Sequence, residues 1–145
     1  VDGESLGLIF RRLSHAAKKE TDNNLKRLDL TMSQGLVLEY LNNTHVEELT
    51  QRAIEQHFNL QHPTVSGILK RLEKNGFITT SVNKTDRRVK NIHLTEKARE
   101  MELIARQDKQ YMEDTMMKGL TKAEVETLRT LLNKVLKNVT EEWSD

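Results

Sequence analysis

A chain of 145 residues, 31% of them charged and 4% aromatic, is long enough for one domain with a core, or for a small domain carrying dimerisation arms, and it reads as helices whose long faces meet water. The absence of cysteine excludes disulfides, thiolate sensing and cysteine zinc sites, while one proline, six glycines and no low-complexity tract leave little to read as linker or disorder. The net charge of +1 hides an asymmetry: residues 61–94 hold seven cations against Glu73 and Asp86, a balance of +5, so the rest of the chain carries −4.

Leu6, Ile9, Phe10, Leu13, Ala16 and Ala17 recur at helical spacing and predict a long amphipathic helix over about 5–28. Thr31 and Gln34 form a capping box, which opens a second helix carrying Leu36, Val37, Tyr40 and Leu41 and ending near Asn42 and Asn43. Thr50 caps a short third helix with Ala53, Ile54 and Phe58 inside, and Asn59 permits the turn after it. About three residues later a fourth helix begins, the connection length of a helix-turn-helix.

This fourth helix, over about 61–75, is the stretch around which the chain is organised. Val65, Ile68, Leu69 and Leu72 make its core face, and the opposite face presents Pro63, Ser66, Gly67, Lys70, Arg71 and Lys74 with no carboxylate among them. Such a face, with a short hydroxyl, bare backbone and long cations, can lie close to a polyanion. Asn75 and Gly76 end the helix, and two short strands are expected at 77–81 and 89–94. The loop between them is polar and holds Lys84, Arg87 and Arg88 beside Asp86.

Thr95 caps a fifth helix to about 118, stopped by Gly119, and the capping box of Thr121 and Glu124 opens a last helix with Val125, Leu128, Leu131, Leu132, Val135, Leu136 and Val139 in a nearly unbroken stripe. The fold class expected is mainly α with a small β-hairpin: a winged helix-turn-helix lobe at 31–94, flanked by dimerisation helices at 1–30 and 95–145, all in a single domain. The compact middle has little room to cover three long apolar helices, so a second copy of the chain is expected to cover them.

The order of elements, the run from His62 to Ile78 with its Arg71-Leu72-Glu73 to Gly76 helix end, and Asp86-Arg87-Arg88 in the wing together resemble the MarR (multiple antibiotic resistance regulator) family over essentially the whole chain. The resemblance implies a triangular homodimer that binds a pseudo-palindromic double-stranded DNA operator and represses transcription. Carried onto this chain, it places the fourth helix in the major groove with Gln61, His62, Pro63, Thr64, Ser66, Gly67, Lys70, Arg71 and Lys74 toward DNA. Thr64, Ser66 and Lys70 are expected at base edges, Ser66 and Lys70 ahead of Thr64, with Arg71 and Lys74 nearer phosphates. In the wing it places Arg88 in the minor groove, Asp86 holding its guanidinium, and Arg87 toward the backbone, with Lys84 a further wing residue toward DNA.

The resemblance also implies release of DNA by a small anionic or phenolic effector in a cleft lined from the first, second and fifth helices, where Arg12, His15, Met32, Tyr40 and Tyr111 are the polar or adaptable residues. No metal or other cofactor is expected, since His15, His45, His57, His62 and His93 are scattered without a second ligand cluster. No phosphate-binding glycine loop, nucleophile elbow or isolated acid pair is present, so no catalytic residue and no enzyme activity is expected. Without a signal-peptide core or a membrane-spanning apolar run, the expected location is the cytoplasm and no membrane partner is expected. The alternative is a winged-helix adaptor whose basic helix binds an acidic protein instead of an operator.

Overall fold

The structure, a computed structural model, describes residues 3–44 and 49–142. His45 lies outside the described residues. The element order is α1 (Leu6–Arg27), α2 (Met32–Asn43), α3 (Gln51–Phe58), α4 (His62–Lys74), β1 (Ile78–Val82), β2 (Lys90–Leu94), α5 (Glu96–Met117) and α6 (Lys122–Glu142). The chain divides into two compact units, Val1–Asp108 and Lys109–Asp145, with the boundary inside α5.

In the first unit, the helix starts are set by side chains that satisfy amides left without an intrahelical acceptor. Ser5 accepts from the Leu8 amide at 3.3 Å and Thr50 from that of Ala53 at 3.2 Å. Thr31 and Gln34 close the expected capping box, both bonds at 3.2 Å. Three helices end on a left-handed residue: Asp29 after α1, Asn59 after α3 and Gly76 after α4. After α4 the Gly76 amide donates to Glu73 O and the Phe77 amide to Leu72 O, the two bonds of a Schellman ending.

That ending moves the first strand. Phe77, expected as its first residue, spends its N–H closing α4, so the ladder begins at Ile78. Its side chain goes into the core at 1% exposure. Val89 likewise donates to Asp86 O within the loop, and β2 begins at Lys90. The strands pair antiparallel, Ile78 opposite Leu94 and Val82 opposite Lys90. Ile92 also donates to Leu49 O at 2.8 Å, which ties the hairpin to the segment leading into α3.

One core joins these elements. Val37, Leu38 and Leu41 of α2, Ile54 of α3, Val65, Leu69 and Leu72 of α4, Phe77, Ile78, Ile92 and Ala98 are its buried apolar members. The basic helix is thus fixed by its apolar side, as the spacing predicts. Its far end is fixed too: Thr95 Oγ1 shares its proton between the Gly76 and Phe77 carbonyls, and Lys97 Nζ donates to Asn75 O at 2.6 Å while lying over the Phe77 ring. α1 packs closely on α2 at Gly35, where an added Cβ would come within 2.8 Å of Leu25 Cδ2. No described residue of α1 is fully buried, and Leu6 is 70% exposed.

The second unit holds the end of α5, Gly119 at φ 84 and α6. Glu124 accepts from the Thr121 amide at 2.8 Å and Thr121 from that of Glu124 at 3.2 Å, so the second capping box also forms. The apolar stripe of α6 is at the surface, with Leu131, Leu132, Val135, Leu136 and Val139 all exposed. Among the described residues, no helix is long and apolar enough to cross a membrane.

Candidate nucleic-acid interface

The outward face of α4 is built by the same periodicity that buries its other side. Pro63, Gly67, Lys70, Arg71 and Lys74 are exposed along it, with Gln61, His62 and Thr64 exposed at its start. Among the described residues, none of Lys70, Arg71 and Lys74 has an ion pair, so three cations meet water uncompensated. The carboxylate of α4, Glu73, accepts from Thr80 Oγ1 of β1 at 3.3 Å. Nothing stands within 4 Å of where a Cβ on Gly67 would lie, which leaves bare backbone at the middle of the face. The two hydroxyls differ from expectation: Thr64 is exposed and Ser66 half-buried, so Thr64 is the freer of the pair.

Gln61 begins α4 without a side-chain capping bond. The start is held from α3 instead. Gln51 Nε2 donates to His62 O at 3.3 Å, and Glu55 Oε1 lies 2.6 Å from His62 Nδ1. Neither Gln51 nor Glu55 stands out in the sequence, because each meets His62 only once the two helices have docked.

The wing is organised by Asn83, which is 6% exposed. Its Oδ1 accepts from the amides of Thr85 at 2.9 Å and Asp86 at 3.0 Å, and its Nδ2 donates to Asn91 Oδ1 at 3.1 Å. Asp86 in turn accepts from the Arg88 amide and takes the guanidinium in a two-point grip, Nε to Oδ1 at 3.1 Å and one Nη to Oδ2 at 3.2 Å. The side-chain bonds from Arg88 first, and its backbone N–H second, hold the Asp86 carboxyl below the ordinary aspartate pKa. Lys84 and Arg87 are exposed beside this grip. The sequence pattern finds Asp86 and Arg88; the buried amide that sets their loop reads there as an ordinary turn residue.

The residues assigned to an effector cleft fall in different settings. Arg12 and His15 share with Leu8 and Arg11 a shallow, open depression along α1, and Arg12 is paired with Glu4 at 2.8 Å. Met32 is exposed at the start of α2. Tyr40 stacks on His57 with ring centroids 4.2 Å apart and meets Phe58 edge-on, so its ring belongs to the packing between α2 and α3. Tyr111 is exposed on the part of α5 in the second unit. Among the described residues, no group of three or more histidines or carboxylates is placed to hold a metal ion.

A family model described as MarR family matches residues 28–89, from the end of α1 to the last residue of the wing loop. The chain is 27% identical over 138 residues to the HTH-type transcriptional regulator YybA of Bacillus subtilis strain 168, covering 95% of this chain and 88% of YybA. It is also similar to MepR of Staphylococcus aureus, a transcription regulator of the multidrug efflux pump MepA, at 31% identity and TM-score 0.81, over 94% of this chain and 99% of MepR. The chain belongs to the MarR family. The crystal structure of the S. aureus MepR–DNA complex is matched at 32% identity and TM-score 0.80, over 92% of this chain and 98% of that one. As a transcriptional regulator of the MarR type, the chain carries its α4 and wing-loop cations within the span that the family model matches.

Proposed function

We propose that this MarR-family chain acts as a homodimer that binds a pseudo-palindromic DNA operator, with α4 in the major groove and Arg88 of the wing in the adjacent minor groove. The observation that carries this reading is the unpaired cationic face of α4 lying in the same lobe as an arginine gripped at two points by Asp86. Cations without internal partners are free to displace counterions from phosphates. An arginine already held in position loses less freedom when it enters a narrow groove. The MepR–DNA complex supports the choice of DNA over an acidic protein partner.

Dimerisation is supported by the exposed apolar stripes of α1 and α6, since a stable interlocked interface buries on the order of 2,000 Å² or more and needs such surface. The two α4 helices then lie roughly 34 Å apart, one turn of duplex. Repression lifted by a small anionic or phenolic ligand is the regulatory half of the proposal. It draws on MepR's role as regulator of a multidrug efflux pump and on the cations and imidazole along α1 at Arg11, Arg12 and His15. The chain works by binding and carries out no catalysis.

Selection of duplexes from a random pool tests the reading. A two-fold symmetric site is expected, with affinity falling roughly 10³- to 10⁵-fold between 50 and 200 mM salt if six to ten phosphates are neutralised. Binding that is indifferent to salt, or a selection that yields no two-fold symmetric site, contradicts it. Adding a phenolic carboxylate to the complex tests the regulatory half, with release of DNA as the expected result.

A further inference from the structure

His62 is the first residue of α4, and its ring is held from the neighbouring helix. Its Nδ1 lies 2.6 Å from Glu55 Oε1, and a carboxylate oxygen has only lone pairs to offer. The ring proton therefore belongs on Nδ1 and is donated to Glu55. Gln51, one helical turn before Glu55, completes the arrangement: its amide nitrogen lies 3.3 Å from Glu55 Oε1 and 3.3 Å from the His62 carbonyl, two acceptors for its two protons. Its 3.0 Å approach to Nδ1 is then a contact alone, because the proton on Nδ1 is directed at the carboxylate. Turning the Gln51 amide over would set its oxygen against two other acceptors. The grip on Nδ1 leaves Nε2 of the neutral ring with a lone pair. The His62 side chain is 74% exposed and that of Glu55 19%, so a solvent-facing ring stands on a largely covered anchor.

We infer that Glu55 is a positioning residue that fixes His62 as a hydrogen-bond acceptor toward DNA, so that Nε2 favours a base carrying an exocyclic amine in the major groove. This rests on the operator-binding reading above, with α4 in the major groove; the N-terminal residues of a recognition helix are the ones that contact base edges. Adenine N6 and cytosine N4 are the amines presented there, whereas guanine offers N7 and O6 and thymine O4, all acceptors. Against guanine or thymine, a lone pair on Nε2 meets another lone pair. The opposite tautomer reverses the preference. Glu55 thus governs which base His62 accepts without itself touching DNA.

The test is duplex selection at pH 8.5 with the unaltered chain, Glu55→Gln and His62→Ala, alongside ¹⁵N NMR of the His62 ring. An amide can turn either its oxygen or its NH₂ toward Nδ1, so Glu55→Gln admits both tautomers. The unaltered chain is expected to enrich adenine or cytosine at one position of each half-site by roughly three- to tenfold, the effect of one net hydrogen bond. Both variants lose that preference and keep the rest of the motif. The spectrum shows the proton on Nδ1 in the unaltered chain and a mixture in Glu55→Gln. A motif identical in all three proteins, or a proton found on Nε2 in the unaltered chain, overturns the inference and leaves operator binding standing. An unaltered chain that enriches no sequence overturns both. Because the His62 side chain is exposed, His62→Ala keeps the selection decisive should Glu55→Gln fail to fold.

Discussion

The central lobe and the terminal helices carry the same sequence signal and meet opposite ends in the folded chain. Val65 and Leu72 of α4 recur at helical spacing and are fully buried; Leu131, Val135 and Leu136 of α6 recur the same way and are exposed. Periodicity says which face of a helix is apolar. It does not say whether the cover comes from the same chain. In the lobe, α2, α3, α4 and the hairpin supply one another with cover, whereas the stripes of α1 and α6 remain open, and on our proposal a second copy closes them.

Charging the open stripe gives the largest expected effect. Because Leu131 and Leu136 are exposed in the single chain, their replacement by aspartate changes the stability of that chain within about ±0.5 kcal/mol. The pair Leu131→Asp and Leu136→Asp is nevertheless expected to convert the proposed dimer to monomer in sedimentation, and to cost on the order of 100-fold in operator affinity as two linked half-sites become independent. The lobe responds in the opposite way. Leu72→Ala, at a position with no exposure, is expected to lower unfolding stability by about 2–5 kcal/mol in urea titration, with no specific loss of self-association from what remains folded.

Smaller effects separate the face of the lobe from its core. Arg88→Ala removes the arginine from its grip and is expected to cost roughly tenfold or more in operator affinity with the melting temperature unchanged. Gly67→Ala, in a helix interior with open space at Cβ, is expected to stabilise the fold by about 0.5–1 kcal/mol, since alanine loses less freedom in a helix. The same variant should bind the operator less tightly, because the methyl group stands where duplex must approach. A Gly67→Ala protein that is more stable and binds as well as before removes the middle of α4 from the interface.

The smallest effect concerns pH. The Asp86 carboxyl is held below its ordinary pKa by Arg88, so the grip is present above the normal aspartate range and is lost as pH falls through the lowered folded value. From pH 7 to pH 5 the wing is expected to be unchanged, with loosening only below about pH 4. Proton exchange at the Arg88 Nε would report it.

Much of this was legible before the fold was known, and for local reasons. The capping boxes at Thr31 and Thr121, the cap at Thr50 and the stop at Gly119 each depend on residues within four of one another, so spacing alone exposes them, while the Asp86–Arg88 grip, equally local, comes from the family resemblance. What stayed hidden depends on docking. Glu55 and Gln51 meet His62 across the turn, Asn83 meets Asn91 across the hairpin, and Lys97 reaches Asn75 across 22 residues. The burial of Ser66 relative to Thr64 and the stacking of Tyr40 on His57 are set by which neighbour a helix face meets, and helical spacing leaves that open.

The claim that the basic helices act as a pair is tested most directly by stoichiometry. Sedimentation of the chain with a selected duplex, and with a duplex carrying half of that site, is expected to show two chains on the full site and an affinity for the half-site lower by on the order of 100-fold. One chain per duplex with equal affinity for both would contradict it.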